Sequence, residues 1–190
     1  MKFQRGWFNI YFICLLAILG SACHSMGGSK QLATVRLYLE TPREGNGAGK
    51  VLVTRAMIPM SIESEPFLDE SDISKARLIE EPDGTYSIEL AFDEHGTMLL
   101  ELKSVENKGR HIVVFCHFPP PGTKQDEEGT GTKPEPGKPR TSGWVSAVEI
   151  TGRLSNGTLV FTPDTTREEA KRIVDGLNNV AAKIKKSAFL

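Results

Sequence analysis

The sequence predicts an α+β fold of the ferredoxin-like kind: an antiparallel sheet with two helices packed on one face, plus extra N-terminal strands. Three observations carry this expectation. Several short runs alternate apolar and polar residues with period 2. Two stretches, following Asp93 and Thr165, place apolar residues at helical spacing instead. Turn-forming residues separate neighbouring strand runs at hairpin distance.

The first strand is "ATVRLYLE". Val35, Leu37 and Leu39 share one face, and Thr34, Arg36, Tyr38 and Glu40 the other, as in a half-buried strand. "TPREGNGAGK" breaks the pattern, and "VLVTRAMIPMSIES" resumes it. Pro59 has no N–H to give a ladder, so the second half of that run belongs at a sheet edge. "EPFLDESDIS" reads as a loop or short turn.

"KARLIEE" and "TYSIELAF" flank Pro82-Asp83-Gly84, which makes a hairpin, with Tyr86, Ile88, Leu90 and Phe92 facing inward and Ser87 and Glu89 outward. A helix follows. Asp93 is its N-cap, Met98, Leu102 and Val105 repeat at helical spacing, and Gly109 stands where a left-handed C-terminal residue is wanted. "HIVVFCHF" is apolar on both faces and so predicts a central strand. After it, residues 119–143 are rich in Pro, Gly and charge and cannot bury enough apolar area to offset their ordering entropy, so an insertion between two paired strands is expected. "WVSAVEI" resumes the sheet, Ser155-Asn156-Gly157 turns the chain, and "TLVFT" is expected to pair back. The last helix carries Ala170, Ile173, Leu177, Val180 or Ala181, and Ile184 as one apolar stripe.

Composition limits what these elements do. With 39% hydrophobic and 25% charged residues and a formal net charge of −1, the 190-residue chain has the balance of one modest globular domain. No aromatic-interleaved basic stripe accompanies Lys183, Lys185 and Lys186, so nucleic acid is not an expected partner.

The N-terminus has the order of an export signal over residues 1–22: Lys2 and Arg5, a mostly apolar run from Trp7 to Leu19, then the small residues of "LGSAC". The apolar run is shorter than the roughly 20 residues needed to span a bilayer. "LGSAC" resembles a bacterial lipobox, with Cys23 as the lipidated residue and the membrane as partner through that lipid. Leu19 stands four places before the cysteine where the pattern has leucine three before, and Gly20 with Ala22 also fits the small-x-small rule for cleavage without lipid. Residues 23–32 form a Gly/Ser-containing tether. With Cys14 removed and Cys23 acylated, Cys116 stands alone as a small buried hydrophobe; an unacylated Cys23 leaves a Cys23–Cys116 bridge open.

Site candidates are few. Asp164, Glu168 and Glu169 cluster in one short span, but Thr165 with Glu168 has the form of a capping box, and Thr166 with Glu169 repeats it one residue on. Acidic side chains in a first turn are favoured by the unpaired N–H groups there. A solvent-facing first turn also provides no contrast between one desolvated and one charged carboxyl, which acid–base catalysis needs. His111 and His117 are separated by about 20 Å of extended backbone, too far to hold one ion. His95 lies on an exposed first turn, and Ser146 lies in a strand without an evident base. No catalytic residue, metal ligand or cofactor is expected.

From about residue 65 to 182 the order "ISKARLIEEPDGTYSIELAFDEHG", "ENKGRHIVVF", "VSAVEI" and "FTPDTTREEAKRIVDGLNN" resembles the head subdomain of the large periplasmic domain of SecD and SecDF, the export accessory proteins. That family has a strand opened by "DA", a hairpin leading to "F…G", a helix ending in "N.G", "AIV" strands leading to "SAP.I", and "FT…EEA" at the last helix. Here "SAP" is Ser146-Ala147-Val148, without the proline, and residues 119–143 expand a hairpin that is tight in the family. The resemblance divides the chain into N-terminal strands at 33–64 and a head-like domain at 65–186. It implies a non-catalytic envelope protein contacting unfolded polypeptide or translocon components at a sheet edge or a helix–sheet groove. Family members carry proton-conducting transmembrane helices, which this sequence does not show beyond its signal. Two further readings are a lipid- or glycan-binding envelope module unrelated to export, and an unrecognised hydrolase.

Overall fold

The computed structural model of the chain describes residues 31–41, 48–54, 56–120 and 141–188. The signal at 1–22, Cys23, nearly all of the tether and residues 121–140 of the insertion lie outside the described residues. The fold is α+β, with two helices and antiparallel sheets, as the ferredoxin-like reading with extra strands requires. Its strands divide among a four-stranded, a three-stranded and a two-stranded sheet.

The four-stranded sheet joins β1 (Thr34–Leu39), β4 (Leu68–Asp69), β7 (His111–His117) and β8 (Ser142–Glu149) in the order β4-β1-β7-β8. The strand read as central is central: β7 pairs with β1 on one side and β8 on the other. Its two apolar faces have separate uses. Ile112, Val114 and Cys116 point into the main core with Val35, Leu37 and Leu39 of β1. Val113 faces the other way, under a ribbon of β2 (Ala48–Val53) and β3 (Ile58–Glu63), where it meets Val53 and Ile62. Trp144 closes that second cluster, its ring edge-on to Tyr38 and Phe115 with centroids at 5.2 and 5.0 Å. Pro59 sits in the two-stranded ribbon opposite Leu52, where a missing N–H interrupts no central ladder.

The three-stranded sheet has the order β5-β6-β9, from β5 (Ile73–Glu80), β6 (Tyr86–Phe92) and β9 (Thr158–Phe161). Here one expectation is corrected: "TLVFT" does not pair back on "WVSAVEI" but on β6, with Leu90 opposite Leu159. The connection from residue 150 to 157 is too long for a tight hairpin and is drawn away from β8. The Leu154 N–H donates to Ser104 Oγ at 2.9 Å, and the Gly157 carbonyl accepts from the Phe92 N–H at 2.9 Å.

Helix α1 (Glu94–Glu106) is capped by Asp93, whose carboxylate accepts from the Gly96 N–H at 2.8 Å, and Gly109 just beyond has the left-handed φ of +83° that its position demands. Helix α2 (Arg167–Ser187) lies on β5 and reaches β1 and β6. Ala170, Ile173, Leu177 and Ala181 are buried as the stripe predicts, while Ile184 emerges at 37% exposure. Gly176 lets α2 approach the start of β1, because a Cβ there would lie 2.5 Å from Ala33 Cβ and 2.7 Å from Ala33 N. Both helices and both larger sheets contribute to one continuous core.

Candidate interaction surface

The acidic helix start is a cap, but not at the residues first indicated. The box is formed by Thr166 and Glu169: the Thr166 N–H donates to Glu169 Oε2 at 2.8 Å, and the Glu169 N–H donates to Thr166 Oγ1 at 3.2 Å. Thr165 is 8% exposed and its hydroxyl oxygen has no hydrogen-bond partner among the described residues, while Glu168 is exposed. The sequence offers two overlapping Thr-x-x-Glu frames, and a tertiary contact selects the later one. Tyr86 donates its hydroxyl proton to the Thr165 carbonyl and holds that residue inward, before the helix. Glu80 binds Arg167 and raises its pKa, chiefly through the hydrogen bond.

One cluster is only half legible in the sequence: Asp93 and His95 open α1 together, but Asp72 comes to them from the 3-10 turn before β5. Asp72, Asp93 and His95 bring one ligand-type atom each within 4.8 Å of one another. Their groups are already engaged. His95 Nδ1 bonds Asp72 Oδ1 at 2.8 Å, Asp72 Oδ2 accepts from the Asp69 N–H at 3.1 Å, and Asp93 caps α1. The hydrogen bond from Asp72 is the main reason that the His95 pKa is raised, with the charges of Asp72 and Asp93 adding to it. The arrangement ties the short 3-10 turn Glu70–Asp72 to the first turn of α1. His111 and His117 are not brought together. His111 Nδ1 pairs with Glu40 Oε2 at 2.6 Å, and Ser146 Oγ donates to the Thr162 carbonyl at 3.2 Å instead of meeting a base.

What the surface offers is apolar. The three residues that revealed the period of α1 form its outer face: Met98 is 61%, Leu102 50% and Val105 58% exposed. The inner face is Gly96, Leu100 and Ser104, with Leu100 fully buried and Ser104 Oγ bridging the Glu101 carbonyl and the Leu154 N–H. Met98, Leu99, Leu100, Leu102 and Val105 cover more than one side of the helix, so spacing alone did not select the buried one. A rigid helix thus presents an apolar stripe on a chain of balanced charge. The edge of the three-stranded sheet is less accessible, since at Ala76 both backbone groups of β5 are taken by Asn178.

No protein-family model and no curated protein matches the chain. Among solved structures, it is similar to one of SecDF, a membrane component that enhances protein export, at 16% identity and a TM-score of 0.48, covering 78% of this chain and 63% of that one. A second, of SecDF in its super-membrane-facing form, matches with the same identity, TM-score and coverage of this chain, and with 19% of that chain covered. The chain therefore spans less than two thirds of each of these two structures. No helix among the described residues is long and apolar enough to cross a membrane.

Proposed function

We propose that this chain is a non-catalytic protein of the bacterial cell envelope, exported by its N-terminal signal and anchored by lipid on Cys23. In this reading its head-like α+β domain contacts exported polypeptide or a partner in the export machinery. The observation that carries the proposal is the outward apolar stripe of α1. Met98, Leu102 and Val105 stand at i, i+4 and i+7, the spacing at which a helix face meets apolar side chains of another chain. The helix is fixed behind them by Leu100, Ser104 and the Asp93 cap, so binding at the stripe orders side chains but no backbone. The order of sequence motifs shared with the SecD head supports the export setting, and "LGSAC" supports the anchor.

The test is site-specific photocrosslinking in the native envelope, with a benzophenone amino acid placed at Leu102 and, as control, at the exposed Lys108. Adducts to secretory polypeptide or to translocon components at Leu102 and not at Lys108 are expected. Equal or no adducts at the two positions would remove the stripe as a polypeptide-contacting surface.

A further inference from the structure

We propose that the tip of the β2–β3 hairpin is a second membrane contact, laid on an anionic phospholipid surface. Four consecutive apolar residues, Ala56, Met57, Ile58 and Pro59, are exposed there, Met57 at 65% and Ile58 at 53%. Leu52, in register with Pro59, adds a fifth at 53%. A run of this length on a soluble surface is unfavourable unless something covers it. The tip backbone departs from ordinary turn chemistry as well. Thr54 and Met57 both have positive φ, 63° and 54°, in a place where glycine or asparagine would relieve the strain. Met57 is thereby held outward on a turn closed by its own N–H to the Thr54 carbonyl.

Charge and position select the occupant. Between Gly49 and Ile62 the sequence carries Lys50 and Arg55 and no acidic residue, the hairpin's one carboxylate, Glu63, standing at the base opposite Ala48; that balance suits anionic headgroups around an apolar wedge. The hairpin crosses the sheet toward the end where the chain enters the domain. Its base is at Ile62, bridged to Glu40, and its tip is at Thr54, whose N–H donates to the Trp144 carbonyl at 3.1 Å. Trp144 is in register with Phe115, and Phe115 with Arg36, two residues from the first residue of β1. Just before β1, Gln31 is pinned by Asn179, and Cys23 precedes it by eight residues, a reach of at most about 29 Å of extended chain. An acyl anchor on Cys23 thus tethers the end of the domain that bears the tip, and at the high effective concentration of a short tether even a weak apolar contact is populated. The position argument rests on the anchored reading of Cys23; the exposure and charge of the tip do not.

The test uses the full chain with Cys14→Ser and Met57→Cys, labelled with an environment-sensitive fluorophore and reconstituted in vesicles of phosphatidylethanolamine and phosphatidylglycerol. Cys116 is fully buried and out of the reagent's reach. The control label is at Lys108→Cys, beside the opposite end of the sheet. The expected result is a blue shift at position 57, quenched by brominated acyl chains and weakened when phosphatidylcholine replaces phosphatidylglycerol, with no change at position 108. Free quenching of both labels by aqueous iodide would overturn the proposal. So would a shift at position 57 that follows protein concentration and ignores brominated lipid, which would make a second copy the occupant. Label appearing on Cys23 itself would report a missing lipid and defeat the anchored reading. The same vesicles added to that unacylated chain then decide the tip alone, since quenching at position 57 supports the contact and its absence overturns it.

Discussion

Asn178 of α2 holds the edge of the three-stranded sheet through one residue: its Oδ1 accepts from the Ala76 N–H at 2.9 Å, and its Nδ2 donates to the Ala76 carbonyl at 2.9 Å. The side-chain amide takes the place of a missing neighbouring strand. It satisfies the backbone of a residue only 2% exposed and closes an edge that would otherwise template pairing with another chain. Asn178→Leu removes both bonds while keeping a similar volume. Each buried backbone group left unpaired is expected to cost about 1–3 kcal/mol, read as a lower denaturant midpoint. The variant should also associate with rising concentration in sedimentation. An unchanged midpoint would show that water replaces the amide without loss.

The two threonines at the start of α2 separate a cap from a buried hydroxyl. Thr166→Ala should cost about 0.5–2 kcal/mol, because the N-terminal N–H groups lose their acceptor. Thr165→Val, which deletes an unpartnered buried hydroxyl at nearly constant volume, should be neutral or stabilising. Denaturant unfolding of both variants checks the pair, and the opposite order would restore the cap to Thr165 and Glu168.

Those two residues also show where sequence reading ends. Strands were legible wherever one face is buried, as in β1, since Val35, Leu37 and Leu39 each lie within 1% of full burial. The double-faced pattern of β7 implied a central strand, and β7 lies between β1 and β8. The frame of the capping box was not legible, because the choice between Thr165 and Thr166 is made by Tyr86, 79 residues away. The partner of β9 was missed for a similar reason: Ser104 and Phe92, not local turn chemistry, direct the chain from residue 150 to 157. The His95 cluster depends on a contact across 23 residues that no spacing rule contains.

Gly176→Ala opposes helix propensity to packing. In a free helix the change is favourable by roughly 1 kcal/mol. Here the new methyl would meet the Ala33 backbone nitrogen at 2.7 Å, and backbone cannot move aside as a flexible side chain would. Overpacking of this kind costs about 1–3 kcal/mol, so a net loss of stability is expected. A rise in the thermal midpoint would mean that β1 and α2 separate easily.

His95 gives the pH dependence. Its pKa in the folded protein is raised above the ordinary 6.5, first by the hydrogen bond to Asp72. The folded state therefore binds the proton more tightly than the unfolded state. This contribution is fully present below the unfolded value of 6.5 and is lost as pH rises through the higher folded value. Comparing unfolding of the wild type and His95→Gln from about pH 5 to 9 should show the wild type losing stability relative to the variant on the alkaline side of 6.5. A parallel pair of curves would leave the His95–Asp72 bond without energetic weight.

Leu100 and Leu102 lie two residues apart on α1 and should respond in opposite ways. Leu100 is fully buried in the main core, so Leu100→Ala leaves a cavity and should cost about 2–5 kcal/mol. Leu102 is half exposed on the outer stripe, and Leu102→Gln keeps a good helix former there, so stability should stay within about 0.5 kcal/mol. If the stripe meets polypeptide, Leu102→Gln should nonetheless weaken envelope crosslinking from a neighbouring benzophenone at Val105. Denaturant unfolding and crosslinking yield on the same variants separate the two effects. A folded Leu102→Gln protein with undiminished adducts would leave α1 a structural helix with an apolar surface and no partner of the proposed kind.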